Sequence, residues 1–574
     1  MKATENDFGF MEQEAVIEIP FFQRAYVWEE EQWEQLFEDL KESFKNKKEH
    51  FLGSIVLKQL QTNIGEGTKR SLIDGQQRLS TFSILVKSLY DKLDDNYKPD
   101  YTKYLFKKPT MDKIPKIQHS KIDRASFEKI LKAKNSEELS DSNKDDKLIE
   151  CYQYFSKKIE QCEELKDFKS FLDFILCIKL WVTINLESTE DEQKIFDSIN
   201  TTGLKLNATD IIKNALFAKA IALKTDYEEL YKKYWEEIFE SSKENKNFWE
   251  EELNTGRLKR TQSEIFLHAF AIIRGFFKPE DSLENLSKIY KEEIENYDVK
   301  KLESFLKQIK EYAIIYRNFP QIKHDTCLSF KNDEERLFHI LKITDTNTIM
   351  PLILKLKYSF KDDTLKSCFF LLERFVLLCW LCRKGTKDYN ILFAKTIKCI
   401  AENKDNPVEL LKEQLSERIP KDEDIKECLV SLKDNSANYR AKLILFWIEL
   451  YKRSQNKGQD IIELSYQYTL EHIMPRSWEG SWKNIAKDTE HAECLIYQIG
   501  NMTLLKGSLN STIKNAPWKT KLNGDGSRKN SIKTCADLLI TKEILDKKKW
   551  DEESIKERTK RLIKDIFEIW GEKI

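Results

Sequence analysis

"LIDGQQRLSTFSIL", residues 72–85, contains the change of backbone on which the reading of the fold turns. An apolar run ends at Asp74-Gly75, where glycine permits a tight turn. "QQRLSTFSILVKSLY" (76–90) then continues with apolar residues at helical spacing. A strand, a turn and an amphipathic helix are therefore expected in that order. A helix start aims backbone N–H groups at one point and attracts anions, so Gln76, Gln77 and Arg78 form a candidate oxyanion or phosphate cradle. Asp74 suits either a Mg²⁺ ion or the orientation of Arg78. Gln23 and Arg24, in "IPFFQRAYVW" (19–28), offer a second fork for phosphate oxygens. The structural alternative, which weighs at least as much on physics alone, is that Arg24 and Arg78 pair with carboxylates and knit the domain together. No GxxxxGK[ST] occurs, and "GEGTKRS" (65–71) falls short of one, so a conventional P-loop is excluded.

Around this segment lie 574 residues, enough for two to four units that each bury a core. Basic and acidic residues balance, 96 against 97, so nucleic-acid binding would require a local basic surface. Eleven cysteines follow no regular framework, and "MKATENDFGF" lacks the basic-then-apolar order of a secretion signal. Reduced thiols and a cytoplasmic location are expected. "CFFLLERFVLLCWLC" (368–382) is too short to span a bilayer and contains Glu373 and Arg374, so it reads as a buried helix and no membrane partner is expected. Cys379 and Cys382 form a lone CxxC and read as core cysteines rather than zinc ligands.

Apolar residues recur at three- and four-residue spacing through most of the chain, while strand-like runs are short: "AVIEIPFF", "FLGSIVLKQL", "RSLIDG", "IKLWVTINL" and "LIYQIGNMTLL". The expected class is α+β, mainly α-helical. Polar stretches at 134–147, 241–257 and 401–409 are the expected loops or boundaries, although such charge runs are more often solvated helix faces.

A second constellation begins at "TLEHIMPRSW" (469–478), which sets Glu471 beside His472 in a chain with seven histidines. Downstream, "IGNMTLLKGSLNSTIKNAPWKTK" (499–521) reads as a strand, a turn and a helix with Asn510 in its first turn. Strand, loop, strand, helix is the order of the ββα-metal unit of HNH endonucleases. Phosphodiester hydrolysis needs an unprotonated His to take a proton from water and an oxygen-ligated cation to stabilise the leaving oxygen. In that scheme His472 is the general base, Glu471 and Asn510 hold Mg²⁺ or Mn²⁺, and Asn501 braces the loop behind the imidazole. Pro475 completes an HxxP turn, and His491 has no part. Residues 501–550 carry 11 Lys or Arg against 4 Asp or Glu, which suits a DNA-facing surface. Lys514, Lys519 and Lys521 are its candidates; Lys521 is set about three turns past Asn510 on a continuous helix. Trp518 fits the core of the small unit better than a stacked base.

The order IPxxQRxYxW, FLGSIVL, DGQQRLxT and "IFDSINTTGLKLNATDIIKNALF" (195–217) resembles the GmrS-type domain of modification-dependent restriction enzymes. EHIMP, IGNMTLL, the following Asn and WKTK resemble the GmrD-type HNH domain that commonly follows it. The resemblance implies a ParB/sulfiredoxin-like α/β fold for the first domain, with Gln23, Arg24, Asp74, Gln76, Gln77 and Arg78 at an NTP site. Asn200, Gly203 and Asp210 belong to its last motif, although a turn and a helix cap account for them equally. Glu471 stands where many HNH sites have Asp, and Asn510 where the last His would be. The implied organisation is a sensing domain at 1–225, a helical connector at 226–405 and a nuclease domain at 406–574. The implied activity is type IV, modification-dependent cutting of double-stranded phage DNA, gated by GTP, UTP or ATP, with homo-oligomerisation left open. A phosphorothioate-sensing nickase shares both modules. A non-cutting nucleotide-sensing regulator and a purely helical scaffold are the rivals from other classes.

Overall fold

A computed structural model describes residues 2–14, 16–20, 23, 25–60, 68–107, 114–139, 146–162, 165, 167–187, 207–255, 258–403, 405–433, 438–456, 458, 462–525 and 530–571. The chain divides into two compact units, Met1–Tyr231 with Tyr290–Leu302, and Lys232–Ile289 with Glu303–Ile574. It is mainly helical with a small mixed sheet, an α+β architecture. No described helix is long and apolar enough to cross a membrane.

Among the described residues the first unit has six strands: β1 (Lys2–Asn6), β2 (Val16–Glu18), β3 (Gly53–Gln59), β4 (Lys69–Asp74), β5 (Ile117–Gln118) and β6 (Trp181–Leu186). Their order across the sheet is β1-β6-β3-β4-β2-β5. The β1/β6 and β3/β4 pairs are antiparallel, and the other three pairs are parallel. β1 is a departure from the sequence reading. "KATEN" has no apolar alternation, yet it pairs along its whole length with β6, from Lys2 opposite Asn185 to Asn6 opposite Trp181.

β4 runs through Gly75 into the helix Gln76–Asp91, as the opening stretch predicts. The helix is not amphipathic, however, because 13 of its 16 residues are buried. Its small hydroxyls make this tolerable. Thr81 Oγ1 donates to the Gln77 carbonyl at 2.7 Å and Ser88 Oγ to that of Ile84 at 3.0 Å, so neither enters the core unpaired. Buried Lys87 bonds both oxygens of Asp91 at 2.5 Å. Phe82 packs edge-on against Trp181 of the sheet, and the helices Glu30–Asn46, Lys147–Gln161 and Phe168–Cys177 complete this core.

The second unit is helical and, among the described residues, has three two-stranded ribbons: β7 (Glu252–Thr255) with β8 (Leu258–Thr261), β9 (Cys327–Ser329) with β10 (Glu463–Ser465), and β11 (Thr469–His472) with β12 (Met502–Leu505). The polar stretch 241–257, expected as loop, forms the helix Lys243–Glu250 and one strand of the first ribbon; its apolar stripe buries Trp249. Asp362–Leu381 is the buried helix anticipated from its apolar run. In it Glu373 accepts from Arg336 Nε at 2.8 and 2.9 Å and from Trp570 Nε1 at 2.7 Å. All eleven cysteines are free, and the Cys379 and Cys382 thiols lie against the carbonyls of Arg418 and Asp424.

Candidate active site

In β11 and β12, Thr469 faces Leu505 and His472 faces Met502 in antiparallel register. The stretch joining them differs from expectation. "ECLIYQIGNMTLL" is not one strand but the helix Thr489–Ile496, a 3-10 turn Ile499–Asn501, and only then β12. Gly500 sits in that turn because the last helix, Glu552–Trp570, passes too close for a Cβ, which would collide with the Ile555 carbonyl and Thr559. Arg558 is buried behind the same turn and donates from Nη1 to the carbonyls of Gly500 and Met502 at 2.8 and 2.6 Å.

His472 ends β11 at 9% exposure. Its ring meets Tyr497 edge-on at 5.9 Å, and its Nε2 is buried without a hydrogen-bond partner. Burial, reinforced by the charges of Arg476 and Lys521, pushes its pKa down to about 3, so the imidazole is neutral. Asn501 is fully buried and completely bonded. Its Oδ1 accepts from the Met474 N–H (2.9 Å) and Trp550 Nε1 (3.1 Å), and its Nδ2 donates to the carbonyls of Met474 (2.9 Å) and Ile496 (3.1 Å). The turn that leaves His472 is thereby clamped from both sides.

β12 leads into the helix Gly507–Ile513, where Asn510 Nδ2 donates to the Leu470 carbonyl (3.0 Å) and Thr469 Oγ1 (3.1 Å). Asn510 is thus tied to the strand that carries Glu471 and His472, and among the described residues both of its side-chain hydrogen bonds leave from Nδ2. Glu471 is buried and bonds Lys521 through Oε1 alone. Burial raises the Glu471 pKa and lowers that of Lys521, and the contact between them pulls both back. The oxygens left over, Glu471 Oε2 and Asn510 Oδ1, are a carboxylate and an amide, the donor chemistry of a hard, oxygen-seeking cation. Among the described residues there is no cluster of three or more His, Cys, Asp or Glu able to hold a metal ion.

Lys521 is not on a DNA-facing surface. The helix after Asn510 stops at Lys514, whose φ of 40° no α-helix continues, and a new helix, Trp518–Asn523, turns Lys521 inward to 0% exposure. Lys514 and Lys519 are exposed. Trp518 lies in the core, its indole 5.1 Å from that of Trp550 and its Nε1 donating to the Lys547 carbonyl. His491 lies in the first turn of the helix Thr489–Ile496, and its Nε2 is 3.4 Å from Glu552 Oε2. Sequence reasoning passed over Arg476, which is exposed and stacks over the Tyr497 ring at 5.8 Å, on the ring that His472 also touches. Its place four residues after His472 was the available signal.

In the first unit Gly75 (φ +96°) caps the helix Gln76–Asp91, and a Cβ there would press on the Ser54 carbonyl and Ile55. Gly53 (φ +121°) lies under the Arg78 guanidinium, and Arg78 Nη2 pairs with Asp74 Oδ2 at 3.3 Å. The FLGSIVL and DGQQR motifs therefore meet through their glycines. Gln77 is committed to the fold: its Oε1 accepts from the Val27 N–H at 2.8 Å and its Nε2 donates to the Ala25 carbonyl at 3.4 Å. Gln76 is buried and Gln23 half-buried, while Arg24, Asn200 and Gly203 lie outside the described residues. Asp210 is in the first turn of Ala208–Ala222, a helix capped by Asn207. A buried network unforeseen from sequence holds the same segment. Tyr26 N–H donates to Asp123 Oδ2 (2.8 Å), which lies 3.5 Å from His119 Nδ1, and His119 Nε2 bonds Ser80 Oγ at 2.8 Å. The His and Asp of "QHSKID" (118–123), four apart, were its only trace.

These two constellations fall within two family matches. The model described as GmrSD restriction endonuclease, N-terminal domain, matches residues 7–217, and that described as GmrSD restriction endonucleases, C-terminal domain, matches residues 419–565. Together they cover more than half of the chain and define a restriction endonuclease, for which DNA is the substrate. The chain belongs to the GmrSD restriction endonuclease family. No curated protein matches it.

Proposed function

We propose that the protein is a modification-dependent DNA endonuclease of antiphage defence, acting in the cytoplasm on double-stranded DNA. In this reading residues 469–513 form an HNH-type ββα-metal unit, and the first unit, ParB/sulfiredoxin-like, gates cutting through NTP binding or hydrolysis. The observation that carries it is the unpartnered Nε2 of His472, a neutral imidazole on a strand to which Asn510 of the following helix is bonded.

His472 takes the proton from a water as it attacks phosphorus, the role of a positioned general base, and this requires DNA binding to open the buried Nε2 to that water. Asn501 is a positioning residue that keeps the turn after His472, and with it the ring, in place. Glu471 Oε2 and Asn510 Oδ1 would hold Mg²⁺ or Mn²⁺, which when bound stabilises charge on the leaving oxygen. Arg476, Lys514 and Lys519 meet the phosphate backbone. In the first unit Asp74, Gln76 and Arg78 face the nucleotide, together with Gln23 and Arg24 of the IPxxQR motif.

The test is cleavage in Mg²⁺ of DNA bearing glucosylated hydroxymethylcytosine, of phosphorothioate DNA and of unmodified DNA, with and without GTP, UTP or ATP. Cutting of one modified substrate that is lost in a folded His472→Ala supports the assignment. Undiminished cutting by that variant refutes it. Arg78→Ala is expected to slow NTP hydrolysis while leaving Mn²⁺ binding at Glu471 intact.

A further inference from the structure

We propose that Lys521 determines which cation the site accepts: by occupying Oε1 of Glu471 it leaves a single carboxylate oxygen, which suits Mg²⁺ or Mn²⁺ and disfavours Ca²⁺. The proposal rests on the reading of Glu471 as a metal ligand. Mg²⁺ is small, keeps several waters in a near-ideal octahedron and is bound through one or two carboxylates, whereas Ca²⁺ takes six to eight oxygens and readily engages both oxygens of one carboxylate. A carboxylate with one oxygen withheld is therefore a poorer ligand for Ca²⁺ than for the smaller ions.

The ammonium is well placed to withhold that oxygen. Lys521 is fully buried, and its Nζ also donates to the His472 carbonyl at 3.1 Å and lies 5.8 Å from the centre of the Trp482 ring. The short helix that carries it is pinned by Trp518, whose indole packs on Trp550 and bonds the Lys547 carbonyl. Freeing Oε1 for a chelating ion would leave a buried ammonium without its carboxylate, a costly state. Glu471 thus remains a one-oxygen ligand as long as Lys521 is present. Charge repulsion by Lys521 acts on every divalent ion alike, so the ratio of affinities, rather than either affinity, reports the withheld oxygen.

The experiment is calorimetric titration of the full-length protein with Mn²⁺ and with Ca²⁺, on wild type, Lys521→Met, Lys521→Gln and Glu471→Gln, with folding checked by circular dichroism. Wild type is expected to bind Ca²⁺ at least tenfold more weakly than Mn²⁺. Lys521→Met should narrow that ratio by tenfold or more, mainly through tighter Ca²⁺, while Lys521→Gln, which still presents a donor to Oε1, should keep the wild-type ratio. Wild type binding both ions equally, an unchanged ratio in folded Lys521→Met, or Lys521→Gln behaving as the Met variant would each overturn the proposal. The wild-type ratio decides even if neither lysine variant folds. Loss of Mn²⁺ binding in Glu471→Gln keeps the metal-site reading alive whatever the ratio does. Mn²⁺ binding that survives in Glu471→Gln, or is absent from wild type, overturns that reading and this proposal with it.

Discussion

Replacing Asn501 with alanine would unmake four hydrogen bonds at once. The donors at Met474 N and Trp550 Nε1 and the acceptors at the Met474 and Ile496 carbonyls all depend on this one side chain, which is 0% exposed. An orphaned buried polar group costs about 1–3 kcal/mol, and a water drawn into the vacated, polar space would recover part of the total. The second unit is therefore expected to lose about 4 kcal/mol. Asn501→Asp separates the two halves of the clamp. It keeps the shape and the acceptors but turns an oxygen toward two carbonyls and buries a charge, so its loss should be at least as large. Urea unfolding followed by tryptophan fluorescence measures the stability, and hydrogen exchange reports whether the amides of Ile473 and Met474 open. At temperatures where the variants stay folded, cutting should fall further than DNA binding, because the turn after His472 is what loosens. A loss below about 1 kcal/mol in both variants, with those amides still protected, would refute the reasoning.

Three further outcomes are expected. Arg476→Ala should weaken DNA binding, lower the slope of log affinity against log salt by about one and leave the melting temperature unchanged; an unaltered salt slope removes Arg476 from the DNA surface. Gly53→Ala forces a Cβ into the Arg78 guanidinium at a φ of +121°, so it should destabilise the first unit by about 1 kcal/mol or more and raise the KM for any NTP hydrolysed there. A fully stable variant with unchanged kinetics would contradict that placement of Arg78. His119, fully buried, has its pKa pushed down to about 3 by burial, whereas an unfolded histidine titrates near 6.5. Between those values only the unfolded chain takes up the proton, so this contribution is complete above about pH 6.5. It is lost as pH falls toward 3, by about 1.4 kcal/mol per pH unit. Urea titrations from pH 7 to 4.5 should show a shallower acid decline in His119→Gln than in wild type, and parallel declines would count against it.

What could be read from the sequence depended on how local its cause was. The turn at Asp74-Gly75 and its helix, the buried helix at 362–381 and the strand-to-helix passage near Asn510 are written in short-range patterns of apolar residues, glycine and polar starts. β1 is not, because its order comes from backbone pairing with β6 and its side chains carry no alternation. The stretch before β12 reads as strand although Leu495 and Ile496 enter the core from a helix and Ile499 is buried in a 3-10 turn, because a short apolar run does not distinguish the two. For Lys521 the sign of the break is present: the chain leaves the helix at Lys514, which has positive φ, and Pro517 opens the new helix that follows, so one continuous helix from Asn510 to Lys521 runs against the proline. Gln77 illustrates a different ambiguity, since an amide that braces the backbone of Ala25 and Val27 has the same letter as one that would bind a ligand.

The helix Glu552–Trp570 runs past residue 565, where the C-terminal family match stops, and its last residue is sewn into a part of the chain that match does not include. Trp570 gives its indole proton to Glu373 and its carbonyl to Arg374 Nε at 2.8 Å. The matched stretch thus ends inside a helix whose last residue is bonded to chain outside it. Transplanting residues 419–565 by themselves would strand Glu373 and Arg336 in the donor and cut the last helix short in the graft. A graft that keeps these contacts should run through Trp570 and start early enough to retain β9, the partner of β10, as well as Arg336.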